Sequence, residues 1–391
     1  MSRYKSLELF KFGVYVTIPV LLVGAIVYRP ENLEAIIRNT KCLVTGGNGF
    51  LGQHLVAQLA DSGEYEVTVF DIRPPVIPFP GVKYITGDLT KEVDVDAACK
   101  GKNVVFHCAT AAPTAANAAN LKLMDAVNVQ GTRSVVEACA RHGVSRLVYT
   151  SSASVVFDGS PLVKVDESTP YAARHMDYYT GTKAQGEVAV LAANGRGGLR
   201  TLALRPSGIF GEHDTLLVPS VASNAARGKL KYIIGSGRNC MDWTYAGNVA
   251  QAHLDAAAAL GDARRVGRVA GRAFFVTNDD PRPFWGFMGD LCEGLGYPRP
   301  SVRLPFHLVF FIALLMQYVI LPLLAPFKKI DSDFTPFRIK LASVDRTFSC
   351  EAAKRELGYR PAVSLDEGLR RTLASFQHLR RGVGGARPKS T

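Results

Sequence analysis

No C-x-x-C pair occurs among the seven cysteines, and no two of the eight histidines stand four apart, so the side chains that build a closed metal site are not clustered and no metal is expected. A G-x-S-x-G elbow is also missing, which disfavours a Ser-His-Asp hydrolase. No repeat of fixed period and no long polar tract is present, and with 47% hydrophobic and 20% charged residues most of the chain reads as globular. Its 391 residues suffice for two domains, or for one large domain with insertions. The formal charge of +12 comes without a basic stripe interleaved with aromatics, and Arg380, Arg381, Arg387 and Lys389 supply four of those charges from the tail. Nucleic acid is therefore not an expected partner; an anionic cofactor or a membrane surface fits better. Cys42, Cys108 and Cys139 fall in apolar runs, and their odd total points to reduced thiols in a cytosol-facing fold.

Two apolar runs raise the question of a membrane. "FGVYVTIPVLLVGAIVY", residues 12–28, lies uncharged between Lys11 and Arg29. It just reaches across a bilayer core, and we read it as an uncleaved anchor after a flank at 1–11, because a nucleotide-binding pattern starts a dozen residues later. "LPFHLVFFIALLMQYVILPLLAPF", residues 304–327, is long enough to span, yet Pro322 and Pro326 are expected to break a continuous helix.

Between them the pattern is βαβ. "KCLVTGGNGF" reads as strand, glycine turn and helix start, followed by the strands "EVTVFDI" and "VKYITGDL", then "KNVVFHCAT" and "VSRLVYTSSASVVF" around the helical "MDAVNVQGTRSVVEACARHG". A parallel sheet covered on both faces is expected. "ATAAPTAANAAN" reads as an alanine-rich loop, and after "LRTLALRPSGIFG" the rhythm loosens toward a substrate-binding part.

Gly47-Asn48-Gly49-Phe50-Leu51-Gly52, with Gly46 before it, satisfies G-x-G-x-x-G directly after a strand and at a helix start. Backbone amides there meet a pyrophosphate without side-chain obstruction. Asp71 closes the second strand 19 residues after Gly52, the place of an acid that holds an adenosine ribose; it favours NAD, while Arg73 leaves NADP open.

In "MDYYTGTK", Tyr179 and Lys183 are four apart and share a helix face, so Tyr179 rather than Tyr178 is the candidate base. A phenol titrates near ~10, and a base at neutral pH needs it lowered by roughly three units; Lys183 and the helix N-terminus are expected to do this. Ser152, in "TSSAS", sits near a strand end, where parallel sheets place their crevice.

In this order, TGGNGFLG, Asp71, Gly87-Asp88-Leu89, "FHCAT", "TSSAS" and Tyr179-x-x-x-Lys183 resemble the extended short-chain dehydrogenase/reductase superfamily. "TSSASVVF", "DYYTGTK", "GIFG", "TNDDPRPFW" and "SFQHLRR" look most like its 3β-hydroxysteroid dehydrogenase branch and, within it, the decarboxylating sterol-4α-carboxylate 3-dehydrogenases. The resemblance implies an α/β fold: a Rossmann-type doubly wound parallel sheet with a smaller C-terminal substrate-binding part and hydrophobic membrane-associating segments. Expected parts are an NAD-binding domain at 40–205, a substrate part at 206–303, a re-entrant or interfacial segment at 304–327, a helical part packing back at 328–380 and a disordered basic tail at 381–391.

By the same resemblance Tyr179 is the base, Lys183 positions it and the nicotinamide ribose, and Ser152 donates to the substrate oxygen. Asp88 lies near the adenine, Leu89 and Ala109 line the cofactor's path, and Pro206 to Ile209 lie near the carboxamide. The implied reaction oxidises a 4α-carboxysterol at its 3β-hydroxyl with loss of carbon dioxide. A steroid dehydrogenase/isomerase that does not decarboxylate, and a nucleotide-sugar epimerase or dehydratase, would use the same triad. Further implied are membrane lipid, other enzymes of sterol C4 demethylation and a homodimer as partners, and an endoplasmic reticulum or lipid-droplet location with the catalytic domain facing the cytosol. If "AAKRELGYRP" packs back on the nucleotide-binding domain, a single crossing by 304–327 is excluded. "GEHD" at 211–214 and "TYAGNV" depart from the family pattern where substrate contacts are expected.

Overall fold

Seven parallel strands make the main sheet: β1 (Thr40–Thr45), β2 (Tyr65–Asp71), β3 (Lys83–Thr86), β4 (Val104–His107), β5 (Arg146–Thr150), β7 (Arg200–Pro206) and β12 (Arg272–Val276), in the order β12-β7-β5-β4-β1-β2-β3. The computed structural model describes residues 40–113, 120–324 and 334–382, so the expected anchor at 12–28, the middle of the alanine-rich loop and the end of the tail lie outside the described residues. Each central strand is buried on both faces, which is why "CLVT" and "VVFH" read as unbroken apolar runs. Cys42 and Val44 pack with Leu55 and Val56 of α1 (Phe50–Asp61), whereas Leu43 packs on the other face with Val95 of α2 (Glu92–Cys99) and Val135 of α3 (121–141). Strand order reverses between β1 and β4, and the crevice outside their carboxyl ends is where such sheets take ligands.

Helix α4 (Tyr178–Ala192) covers the same face as α3, and Gly186 lets it sit down on the sheet, since a Cβ there would stand 2.5 Å from the Tyr149 hydroxyl. Helix α5 (Leu217–Ala226) belongs to a second core, which Phe210 and Trp243 build beyond the main sheet with Trp285 and Phe287 of α7 (Phe284–Gly294). A smaller sheet flanks that core, with β10 (Cys240–Met241) between β13 (Arg282–Pro283) and β15 (Arg346–Phe348), and β6 (Leu162–Val165) at the edge beyond β15. A separate parallel pair, β9 (Tyr232–Ile234) and β14 (Val302–Leu304), leads into the apolar segment. The chain then returns: Ala353, Leu357 and Tyr359 join the first core beside α6 (Ala246–Gly261), and the Tyr359 hydroxyl donates to the Thr277 carbonyl at 2.8 Å.

All seven cysteines are free thiols. Cys42 and Cys139 are buried as expected, but Cys108 is only partly so, because it follows the last residue of β4 and faces Thr150 and His253.

Two local expectations differ from the fold. The strand expected through "VSRLVYTSSASVVF" stops at Thr150, because the Ser152 side chain accepts the Ser154 amide and turns the chain into the 3₁₀ turn Ala153–Val156. Pro322 does not break the helix at 306–324, here called α8: the π-helical turn Met316–Ile320 comes just before it and absorbs the hydrogen bond that proline cannot make.

Candidate active site

Two backbone hydrogen bonds close the glycine turn at the end of β1. Gly46 donates to the Phe70 carbonyl at 2.8 Å and Gly49 to that of Gly46 at 3.0 Å. Gly46 has φ +71°, and a Cβ on it would lie 2.6 Å from the Ala109 Cα. A Cβ on Gly52 would lie 2.1 Å from the Gly46 carbonyl oxygen, so the first turn of α1 presses on the loop. A Cβ on Gly47 would likewise stand 2.7 Å from a Val69 methyl group. No side chain caps α1 and its first turn carries no acid, leaving its leading amides free to receive an anion.

Asp71 is buried at the end of β2. Its carboxylate accepts the Asn48 amide at 3.0 Å and the Arg73 amide at 3.1 Å, while the Asn48 side chain donates to the Arg73 carbonyl at 2.6 Å. The acid therefore braces the cradle, and a carboxylate retains acceptor capacity beyond these two bonds. The Arg73 residue is exposed. Asp88 accepts the Thr90 amide at 2.9 Å, and Leu89 is buried against Gly131, where an added Cβ would meet it at 2.7 Å. Ala109 borders Gly46. Pro206 ends β7, and Ile209 opens β8 (Ile209–Phe210), which pairs with β11 (Thr244–Tyr245).

Across the crevice stands α4. Asp177 caps it, accepting the Thr180 amide at 2.9 Å and the Thr180 hydroxyl at 2.8 Å. The Tyr178 ring is exposed, whereas Tyr179 is partly buried, with its phenol beside Thr110. Burial pushes that phenol up to about 12; the neighbouring Thr110 hydroxyl lowers it and the Asp177 carboxylate raises it further. The capping Asp177 carboxylate thus opposes the lowering expected from the helix N-terminus. Lys183 is buried, and its ammonium donates to the Thr150 carbonyl at 2.5 Å and lies 4.3 Å from the centre of the Tyr149 ring. Burial pulls it down to about 7, with Cys108 and Glu187 opposing. It does not contribute to the Tyr179 shift in this arrangement, so the expected Lys183 effect on the phenol is also not realised here. Ser152 lies two residues beyond Thr150 and spends its hydroxyl oxygen on the Ser154 amide at 3.2 Å, without a hydrogen bond to Tyr179.

Sequence reasoning passes over three groups that join these parts. Asn128, buried in the π-helical turn Ala126–Gly131, accepts from the Thr110 hydroxyl at 3.0 Å and the Ala111 amide at 2.7 Å, and donates to the Thr182 hydroxyl at 3.0 Å. It links the segment after β4 to the turn of α4 between Tyr179 and Lys183. An amide side chain among the apolar positions of "DAVNVQGT" is the available signal. His107 bridges the Thr45 and Thr132 hydroxyls at 2.7 and 2.9 Å, and burial pulls it down to about 3, which makes it a neutral strut. His253 holds the Thr150 hydroxyl at 2.7 Å.

Comparison with known proteins agrees with this architecture. The model of the 3-beta hydroxysteroid dehydrogenase/isomerase family matches residues 43–306. A "3beta-hydroxysteroid-dehydrogenase/decarboxylase isoform 1" of Arabidopsis thaliana is 44% identical over 87% of this chain and 80% of its own. The "sterol-4-alpha-carboxylate 3-dehydrogenase, decarboxylating" of Mus musculus is 43% identical over 88% of this chain and 93% of its own. Among solved structures, the UDP-glucose 4-epimerase of Thermus thermophilus in complex with NAD superposes with a TM-score of 0.65 at 23% identity, covering 86% of this chain and 99% of that one, a likeness of fold. With its family model matched from β1 through the second core, and relatives above 40% identity along most of its length, this chain belongs to the 3-beta hydroxysteroid dehydrogenase/isomerase family.

Proposed function

We propose that the protein oxidises the 3β-hydroxyl of a 4α-carboxysterol to the ketone with NAD and releases the carboxyl group as carbon dioxide. What carries the reading is the placing of Tyr179 beside Thr110: the phenol neighbours the segment leaving β4, whose Ala109 borders Gly46 of the glycine cradle. A proton acceptor and a dinucleotide site thus face one crevice. The names of the decarboxylating relatives support the sterol acid as substrate.

The residues fit a dinucleotide. Gly46, Gly47, Asn48, Gly49, Phe50, Leu51 and Gly52 would hold the pyrophosphate, Asp71 the adenosine ribose, Asp88 and Leu89 the adenine side, and Ala109, Pro206 and Ile209 the nicotinamide side. A bound NAD would supply the acceptor for the hydride leaving C3 of the sterol. Tyr179 takes the hydroxyl proton as that bond breaks, and Lys183 supplies the positive charge that keeps the phenolate accessible. Oxidation leaves a β-keto acid. The C4–carboxyl bond then breaks, its electron pair passes into the ketone as an enolate, and the enolate oxygen meets Ser152 and the newly protonated Tyr179 as donors. No separate decarboxylation group is required. Detergent-purified protein given NAD and a 4α-carboxysterol is expected to form NADH and carbon dioxide in equal amounts; NADH without gas would instead indicate a plain steroid dehydrogenase.

We further propose that α8 lies in a membrane surface, with the catalytic body on the cytosolic side of the endoplasmic reticulum. The helix projects Leu308, Phe311, Ile312, Leu315, Val319 and Leu323 into solvent. At 1.5–3 kcal/mol per side chain, burying this set in lipid contributes on the order of 10 kcal/mol gross. Val309 and Ala313 pack inward on Ile339 of α9 (Pro336–Leu341), with Phe306 and Phe310 partly buried against them. Because α9 sits against the base of α8, the chain leaves and rejoins the same body, which supports a re-entrant or interfacial helix over a single crossing. In sealed microsomes, protease is expected to remove a C-terminal epitope and cut the catalytic domain from the same side; protection of one alone would refute this topology. The homodimer, the partner enzymes and the lipid droplet rest on family resemblance.

A further inference from the structure

His54 lies one turn beyond Phe50 on α1, the helix whose first turn belongs to the phosphate cradle. Its side chain is 11% exposed, and its Nε2 donates to the Glu212 carbonyl at 2.9 Å, across 158 residues of sequence. Because a carbonyl only accepts, the ring carries its proton on Nε2. Burial holds the imidazole below its ordinary titration range, with Glu212 opposing and His213 adding. The Glu212 carboxylate stands 3.9 Å from the same nitrogen and is held in turn, since the Tyr245 hydroxyl donates across its two oxygens at 3.0 and 2.9 Å. Tyr245 is buried in the second core with Phe210 and Trp243, and its ring meets that of His54 edge-on at 5.9 Å. One chain of contacts thus runs from the cradle helix into the substrate part.

Glu212 belongs to "GEHD", and that stretch is shaped to present it. His213 stands at φ +66°, in the left-handed region that favours glycine. The turn separates Glu212, which faces α1, from Asp214, which is buried and accepts the amides of Leu216, Leu217 and Val218 at 2.8, 3.1 and 3.0 Å where α5 begins. A costly backbone angle is therefore held by side-chain bonds on both flanks. Just before it, Gly211 presses on α1: an added Cβ would stand 2.9 Å from the Ala246 Cβ, 3.3 Å from the His54 Nε2 and 3.5 Å from the Phe50 ring. Segment 206–211, which leaves β7 through Pro206 and Ile209, thus reaches the cradle helix at its first turn.

We propose that His54 is a positioning residue for the nicotinamide half of the cofactor: with Glu212 and Tyr245 it forms a clasp that fixes segment 206–211 against the cradle helix. This rests on the dinucleotide site proposed above. A dinucleotide that meets α1 through its pyrophosphate and segment 206–211 through its nicotinamide touches two walls distant in sequence, and it binds best when their separation is set beforehand. A wall left free to shift has to be ordered by the ligand, and that cost is taken from affinity and from alignment of the reacting ring. The adenosine half meets β1, α1 and β2, which the clasp does not hold. Loss of the clasp is therefore selective, weakening the grip on the nicotinamide end alone.

The test measures by calorimetry how the full-length protein binds NADH and ADP-ribose, which lacks the nicotinamide, in the wild type and in His54→Phe, His54→Gln and Tyr245→Phe. His54→Phe keeps an aromatic ring but has no donor for the Glu212 carbonyl. It is expected to raise the Kd for NADH about 10-fold, the scale of a lost hydrogen bond that leaves a carbonyl unpaired, and to change the Kd for ADP-ribose less than twofold. His54→Gln, which restores an N–H donor, is expected to recover most of the loss. Tyr245→Phe frees the Glu212 carboxylate and is expected to weaken NADH about threefold with ADP-ribose unchanged. An equal loss on both ligands overturns the clasp in favour of a general structural role, and so does an unchanged NADH affinity. Should His54→Phe fail to fold, Tyr245→Phe decides by the same comparison. No sterol is present, so the selective pattern supports the clasp even if the protein turns no carboxysterol over. A wild-type protein that binds neither ligand overturns the clasp and the dinucleotide site together.

Discussion

Replacing Tyr179 with phenylalanine lowers kcat for sterol oxidation by about 1000-fold, within the range for loss of a positioned general base, while the same change at Tyr178 alters it less than about twofold. The contrast follows from two adjacent rings with opposite fates. Tyr178 is 45% exposed, and only Tyr179 turns toward Thr110. Nucleotide affinity is expected to survive in both variants, since the glycine cradle does not touch either ring. Equal activity of the two phenylalanine variants would remove Tyr179 from the chemistry.

The pH profile gives a sharper form of the same expectation. In the structure the phenol is pushed up to about 12 and the Lys183 ammonium pulled down to about 7, so on raising the pH the first proton to leave is the lysine's. Bringing the phenol from 12 to near 7 takes roughly 7 kcal/mol of preferential phenolate stabilisation. That stabilisation has to come from positive charge placed beside the oxygen when substrate and cofactor assemble. Because the base works deprotonated, kcat/KM rises with pH and levels off above its apparent pKa. Tyr179→Phe is expected to abolish this rising limb. Lys183→Met is expected to shift the limb to higher pH, toward the value that burial alone imposes. A limb unmoved by the lysine change would mean that Lys183 only props the sheet through Thr150.

The parts of this site that read directly from the sequence are those whose spacing maps onto one regular element. Gly46 to Gly52 lie on one strand–turn–helix, Asp71 ends the adjacent strand, and Tyr179 and Lys183 are one helical turn apart. Thr110 and Asn128 escape because their meaning depends on which strand lies next to which. Asn128 matters only once α3 is known to run between β4 and α4. The Lys183 contact misleads for a related reason: helical spacing places it near Tyr179, but the closest acceptor is a carbonyl of β5. Likewise the positive end of α4 is legible, whereas its neutralisation by Asp177 depends on a rotamer.

Gly52→Ala is expected to abolish dinucleotide binding and to destabilise the fold by about 3 kcal/mol or more, although it adds a single methyl group. A Cβ at that position stands 2.1 Å from the Gly46 carbonyl oxygen and 2.7 Å from the Gly47 Cα. Both neighbours are backbone, so no side chain can swing aside. Relief requires α1 to move off the loop, and that movement withdraws the helix amides from the pyrophosphate position while loosening the Asn48 amide from Asp71. Gly267→Ala supplies the opposite case, because Gly267 lies in a short helix, has no left-handed backbone angle and would place its Cβ in open space. That change is expected to leave binding intact and to stabilise by up to about 1 kcal/mol, through the smaller entropy of the unfolded chain. Melting curves with and without NAD distinguish the two: the Gly267 variant gains the full NAD-dependent upward shift, whereas the Gly52 variant melts early and NAD does not move it. A Gly52 variant that still responds to NAD would show that the close approach of α1 to its loop is not what shapes the phosphate site.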